Sequence, residues 1–287
     1  MKLLWFIKNG VPALALQTDN GILDADACCA KLQIPAIGKR NITNDDLPVL
    51  QQILQQEAQL TDALLNEHEI QITSCVPDPQ KIICIGLNYK KHAAESGMQV
   101  PPVPVVFNKF NNTLINFGAK VHLGNVGEQF DYEVELCVVM GKACKEVGTK
   151  DALNYVLGYC VANDMSCRDL QFRSSQWLMG KSLDTFLPLG KCVVTADEIP
   201  DPQNLQLTCT MNGELRQNSN TADMIFSIAE IIEDLSKHFT LMPGDLILTG
   251  TPEGVILGMK EKNWLRPGDV VKVSIEKLGY TENLMVR

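Results

Sequence analysis

The spacing of apolar and polar positions changes several times along the chain, and each change marks an element. Leu3 to Ile7 and Ala13 to Leu16 are short apolar runs on either side of Asn9-Gly10, a pattern that predicts a β-hairpin. Pro48 to Glu67 places Leu50, Ile53, Leu54, Leu60, Leu64 and Leu65 at helical intervals among Gln, Glu and Ala, with the proline in a first turn where it is tolerated. A helix is expected there. Val76-Pro77-Asp78-Pro79 can continue neither element and marks a joint. Beyond it, short strands and turns dominate. Met242-Pro243-Gly244-Asp245 and Arg266-Pro267-Gly268-Asp269 are similar turns, each opening an apolar strand, Leu246 to Leu248 and Val270 to Ile275. Ala222 to Phe239 reads as an amphipathic helix with Ile225, Ile228, Ile231, Ile232 and Leu235 facing a core. The pattern predicts an α+β, mostly β protein with a small N-terminal α+β domain over 1–76 and a larger domain over 77–287. It contains no solenoid repeat and no low-complexity segment.

One strand-like run breaks the apolar rule. In Phe130-Asp131-Tyr132-Glu133-Val134-Glu135-Leu136 the acids recur at every second position, so a single strand would carry all three on one face. Like charges so close repel, and the face reads either as a solvated acidic edge or as a site for a hard divalent cation. Gly158 to Asn163 is another apolar strand, ending at Asp164, with Ser166 as the expected cap of a following helix. Asp164 is then either a turn residue or the third carboxylate of a Glu133, Glu135 and Asp164 site whose other positions fall to water and substrate.

Composition sets limits on this picture. The 287 residues, 45% hydrophobic and 21% charged, can bury a sizeable core. The net charge of −9 argues against a nucleic-acid or anionic-membrane surface. Ten cysteines spread from Cys28 to Cys209 without a C-x-x-C pair point to reduced thiols, with Cys84, Cys137 and Cys160 as small core residues. Met1 to Lys8 is too short an apolar run for a secretory signal and reads as a first strand, and no segment has the length of a membrane span. As the chain stands the expectation is a cytoplasmic protein.

Three further groups carry candidate chemistry. His92 and Glu95 at i, i+3 on a helical turn over Asn88 to Glu95 can form a base with its orienter, or a surface ion pair. Gly86 and Gly97 flank them as candidate hinges. Lys181, between Trp177-Leu178-Met179 and Phe186, is either a partly desolvated cation facing a carboxylate or anionic substrate, or a snorkelling surface lysine. Thr249-Gly250-Thr251-Pro252-Glu253-Gly254 offers a hydroxyl and backbone N–H groups suited to a substrate carboxylate, or is a plain tight turn. His68, His122 and His238 lack such neighbours.

Ile85-Gly86-Leu87-Asn88-Tyr89, His92 and Glu95, Glu133-Val134-Glu135-Leu136, Gly158-Tyr159, Asn163-Asp164, Arg168-Asp169-Leu170-Gln171, Lys181 and Thr249-Gly250-Thr251-Pro252 follow one another from about residue 80 onward. In this order they resemble the fumarylacetoacetate hydrolase family. The resemblance implies a mixed β-sandwich or roll as the catalytic domain, Mg2+ or Mn2+ on Glu133, Glu135 and Asp164, and a lid bearing His92 and Glu95. Lys181 would join them in catalysis. It also implies Arg168, Gln171, Gly250 and Thr251 against the substrate, with Tyr89 and Lys109 as further pocket candidates. Arg168 is alternatively a structural partner of Asp131 or Asp169, and Asp131 is expected to act from behind the ligands. The implied chemistry is enolisation of a small 2-oxo acid. Three outcomes share it: keto–enol tautomerisation, decarboxylation of oxaloacetate, and carbon–carbon hydrolysis of an acylpyruvate. Gln176 to Phe186 and Met211 to Glu214 resemble one branch of that family, and this resemblance tips the expectation toward oxaloacetate tautomerisation. A homodimer is implied, as is a mitochondrial location if a leader has been removed. The alternative from another class is a non-catalytic metal-binding or assembly protein.

Overall fold

In the computed structural model, residues 1–38, 41–95 and 97–287 are described. The chain is mostly β and is organised by a ten-stranded mixed sheet. Its two central strands, Val134–Met140 and Val156–Asn163, are buried at every position, so they are covered on both faces and read as continuous apolar runs. Alternate residues serve different cores. Val134, Leu136, Val138 and Met140 enter a cluster with Tyr159 and Val161, whereas Cys137 and Val139 enter another with Leu157, Cys160 and Ala162.

The first cluster is closed by a five-stranded sheet in which Gln206–Met211 and Val270–Ile275 contribute Leu207, Cys209, Val271 and Val273. Ile228–His238 adds Ile228, Ile231, Ile232 and Leu235 to the same core. The second cluster is closed by Ala25–Leu32 and Leu47–Gln55, through Cys28, Cys29, Leu50 and Ile53. The expected hairpin forms: Lys2–Lys8 pairs with Val11–Thr18 around Asn9 and Gly10, both at positive φ (52° and 78°). Lys2–Lys8 also pairs with Val193–Thr195, so the ten-stranded sheet runs unbroken from the N-terminal segment into the rest of the chain.

Several boundaries differ from expectation. The helix expected over Pro48 to Glu67 ends at Gln55; two 3₁₀ turns follow, and Leu64–Leu65 becomes an edge strand against Ile22 and Leu23. Sheet pairing there overrides local helical spacing. The helix expected from Ala222 begins at Ile228 because Ser227 and Glu230 form a capping box that fixes its start. The helix around His92 covers only Lys90–Glu95. Ser166 does not cap a helix: it lies in the two-residue strand Ser166–Cys167, its hydroxyl donates to the Asp164 carbonyl, and Cys167 stands at the N-cap. The strand with three acids on one face is also broken. Phe130–Asp131 pairs with Ser166–Cys167 in a separate ribbon, and the long strand starts only at Val134. Asp131 thereby leaves the face of Glu133 and Glu135.

The capping box gives a simple check on these boundaries. Ser227→Ala removes the acceptor for the Glu230 N–H and is expected to cost about 1 kcal/mol of stability. Urea unfolding should show a lower midpoint with an unchanged slope.

Candidate active site

Antiparallel pairing brings the acids together. Ala162 lies opposite Glu135 and Asn163 opposite Val134, so the end of one central strand delivers Asp164 to the start of the other. The Asp164 N–H donates to the Glu133 carbonyl (2.9 Å), and the Asn163 side chain accepts from the Glu133 N–H (3.0 Å). One carboxylate oxygen from each of Glu133, Glu135 and Asp164 lies within 4.8 Å of the other two, and all three residues are buried.

Three cations are buried with them. Lys181 Nζ donates to Glu133 Oε2 (2.6 Å) and Asp164 Oδ2 (2.8 Å), and Lys109 Nζ to Asp164 Oδ1 (2.6 Å). Arg168 donates to Glu133 Oε1 (2.6 Å), to Asp131 Oδ2 and to the Gln171 side-chain oxygen. Asp131 is the structural partner of Arg168, and it also accepts the N–H groups of Ile256 (2.8 Å) and Leu257 (3.0 Å). Asp169 instead receives the N–H groups of Glu128 and Gln129.

Asp131, Glu133, Glu135 and Asp164 set four acidic groups against three cations, Lys109, Arg168 and Lys181, all of them buried. Among the described residues no cation stands within ion-pair distance of Glu135; its Oε2 accepts only the Gly250 N–H (2.8 Å). Burial, together with Asp164 and Glu133, pushes the Glu135 carboxyl well above the usual carboxylate range, against the pull of Lys181. Burial would also raise Glu133, but Lys181 and Arg168 outweigh it and hold that carboxyl down at about 2. Burial lowers the Lys109 ammonium, with Asp164 opposing and Lys181 adding to the effect. For Lys181 the attraction of Asp164 and Glu133 outweighs burial and raises its pKa. An all-oxygen set of three carboxylates, one of them lacking a cation, has the chemistry that holds a hard divalent ion.

A cavity of about 30 Å3 opens onto this cluster, room for one or two waters. Glu133, Glu135, Arg168, Gln171, Lys181, Thr251 and His92 line it, with an apolar rim that includes Leu87, Met98, Phe107 and Trp177. His92 Nδ1 lies 2.8 Å from Glu95 Oε1, so the two residues meet as the spacing suggested. Gly86 has a packing role: a Cβ there would lie 2.5 Å from the Trp177 ring, which also meets Phe107 edge-on at 5.2 Å.

Other candidates fall outside the cavity lining. Gly250 gives its N–H to Glu135 rather than leaving it open, and its φ of 95° and its approach to Asn88 both require glycine. Lys109 is sealed against Asp164 and the Met165 carbonyl. Tyr89 is fully buried, its hydroxyl has no partner among the described residues, and burial, with Glu135 adding, raises its pKa well above the ordinary value. Of two supporting residues, Gln217 escaped the sequence reading and Asn88 entered it only as part of a motif, with no role. Gln217 accepts the Val134 N–H and donates to Thr251 and the Pro252 carbonyl, and Asn88 clamps the Thr249 carbonyl. Each comes from a distant segment, so no local spacing announces it.

The Fumarylacetoacetate (FAA) hydrolase C-terminal family matches residues 81–286. A Dictyostelium discoideum protein described as "Fumarylacetoacetate hydrolase domain-containing protein 2 homolog" is 46% identical over 234 residues, covering 76% of this chain and 77% of its own. "Oxaloacetate tautomerase fahd2, mitochondrial" of Xenopus laevis is 43% identical over 225 residues, covering 78% of this chain and 70% of its own. Among solved structures, the fumarylacetoacetate hydrolase of Exiguobacterium antarcticum superposes over 100% of this chain and 99% of its own with TM-score 0.79 and 28% identity. Maleylpyruvate hydrolase from Sphingobium sp. SYK-6 does so over the same shares with TM-score 0.80 and 28% identity. The chain belongs to the fumarylacetoacetate hydrolase family and is an enzyme of that family. No helix among the described residues is long and apolar enough to cross a membrane.

The raised Glu135 carboxyl has a measurable consequence. A carboxyl whose folded pKa exceeds its unfolded value of about 4.3 adds stability that is complete below that value and is lost as pH rises through the folded pKa. The metal-free protein is therefore expected to lose stability on Glu135's account as pH rises, and Glu135→Gln to remove that part of the slope. A divalent ion held by these carboxylates would take the deprotonated form, so MgCl2 is expected to raise Tm more at high pH than at low. Thermal melts with and without MgCl2 between about pH 5 and 9 check this; a magnesium effect independent of pH contradicts it.

Proposed function

We propose that this enzyme is a Mg2+- or Mn2+-dependent oxaloacetate keto–enol tautomerase. The observation that carries the reading is the meeting of His92 with Glu95 (2.8 Å) on a cavity whose other wall is the Glu133 and Glu135 cluster. A proton carrier and a charge-stabilising site thus face the same small space. The names of relatives from Xenopus laevis and Rattus norvegicus, both oxaloacetate tautomerases, support the choice of substrate.

A divalent ion on Glu133, Glu135 and Asp164 would supply Lewis-acid stabilisation of the negative charge that develops on the 2-oxo oxygen during enolisation. The residues do the rest. With Glu95 ionised, His92 donates its Nδ1 proton to that carboxylate, which leaves the Nε2 lone pair to take a proton from C3 and return it. Lys181 holds Glu133 and Asp164 in place and brings a cation to the substrate's anionic groups. Arg168, tied to Glu133, Asp131 and Gln171, fixes the ligand geometry, and Gln171 and Thr251 complete the wall against the substrate. Leu87, Met98, Phe107 and Trp177 exclude water from that side. Decarboxylation and hydrolysis start from the same enolate. Tautomerisation is the outcome that needs only the proton carrier, His92.

Deuterium exchange at C3 of oxaloacetate, with pyruvate measured alongside, tests the reading. Wild-type enzyme with Mg2+ should exchange and interconvert enol and keto forms far faster than it releases pyruvate. His92→Ala should slow exchange by about 10²–10⁴-fold. Pyruvate release keeping pace with substrate loss would assign decarboxylation instead, and undiminished exchange in His92→Ala would remove His92 from the mechanism.

Metal affinity supplies a separate test. Asp164→Ala should abolish tight Mg2+ binding while the protein stays folded, because one of three anionic donors is lost. Calorimetry with unchanged affinity would refute the ligand set.

A further inference from the structure

Glu95 is held from two sides. Its Oε1 faces His92 Nδ1 at 2.8 Å, and both carboxylate oxygens accept the Gly254 N–H, at 3.2 and 3.0 Å. Behind the carboxylate lies Gly258, at the end of the 3₁₀ turn Ile256–Gly258. A Cβ on Gly258 would stand 2.5 Å from Glu95 Cδ and 2.7 and 2.9 Å from its two oxygens. Side chains do not approach that closely, so the carboxylate occupies space that exists only because residue 258 has no side chain. Gly258 is not at positive φ, and alanine can adopt its backbone conformation; the three atoms nearest to such a Cβ all belong to the Glu95 carboxyl.

We propose that Gly258 is a positioning residue for proton transfer: the gap at its Cα seats Glu95 against the Gly254 N–H and so fixes the His92 ring. The role rests on the reading of His92 as proton carrier. Alanine at 258 meets the far end of a flexible side chain and no backbone atom within 4 Å is nearer, so the fold can yield by moving Glu95 alone. Gly254 would not give so clean a test. It lies at φ 96°, and a Cβ there would meet the Arg216 carbonyl oxygen at 2.1 Å, which disturbs the backbone.

The same segment also holds the metal cluster. Gly250 donates to Glu135, and Ile256 and Leu257 donate to Asp131, which fixes Arg168 and through it Glu133. A Cβ at Gly258 would press first on Glu95 and not on these acids, so its replacement should separate proton transfer from metal binding.

The experiment compares Gly258→Ala, Glu95→Ala and the double variant, each loaded with Mg2+, by C3 deuterium exchange of oxaloacetate, with calorimetric Mg2+ affinity and Tm as controls. Gly258→Ala is expected to slow exchange by ~10- to 100-fold through misplacement of the base. Mg2+ affinity should match wild type. In the Glu95→Ala background the same substitution should have no further effect, because the group it acts through is gone. Losses that multiply in the double variant would overturn the proposal, as would wild-type exchange in Gly258→Ala when Glu95→Ala is impaired. Wild-type exchange in Glu95→Ala would overturn the dyad and this role together.

Discussion

A carboxylate removed from water and given no cation is costly enough that proteins neutralise it, pair it or use it. Glu135 is in that position. Its neighbours Glu133 and Asp164 are each satisfied by two ammonium or guanidinium contacts, and the four acids exceed the three cations by one. The surrounding design follows from this imbalance. Both central strands are covered on both faces, and the cations buried nearby among the described residues, Lys109, Arg168 and Lys181, are each committed to another acid. The remaining ways to settle Glu135 are a proton or a metal ion, and the two compete for the same oxygens.

Backbone N–H groups supply the other half of the organisation. The segment from Gly250 to Leu257 donates to Glu135, Glu95 and Asp131, three acids from three separate elements. Backbone donors carry no side-chain entropy and cannot titrate, so they fix carboxylates without altering the local charge count. The segment is itself held by Asn88, through the preceding Thr249 carbonyl, and by Gln217, which join it to the start of the Lys90–Glu95 helix and to the second sheet. Glu95 and the buried acidic cluster therefore share one support.

The carboxylate pair, the His92 and Glu95 contact and the two Pro-Gly-Asp turns were readable because each depends on local spacing. Period two gave Glu133 and Glu135, and i, i+3 gave the dyad. The same reasoning failed where a long-range contact decided the outcome. Leu64 and Leu65 fit a helix by spacing but pair with Ile22 and Leu23 in the sheet. Asp131 fits the acidic face by period, yet pairing of its ribbon with Ser166–Cys167 and hydrogen-bond donors from three distant residues, Arg168, Ile256 and Leu257, take it off that face. Gly250 looked like an open donor, and nothing in its neighbourhood says that Glu135 fills it. Gln217 and Gly258 had no legible signal at all, since their partners lie 34 or more residues away.

The opposition of Ala162 to Glu135 has a consequence for how the chain reaches its folded state. Side chains on these strands alternate between two separate cores, so a slip of one residue would send Glu135 into the layer now filled by Leu136 and Val138 and would move Asp164 away from its partners. Two strands rich in valine, leucine and cysteine offer little else to distinguish one apolar alignment from the next. The acids do distinguish them, because this alignment is the one that sets Lys181 between Glu133 and Asp164. The residues read here as reactive thus also act as a proofreading mark, penalising misaligned sheets before any substrate is met.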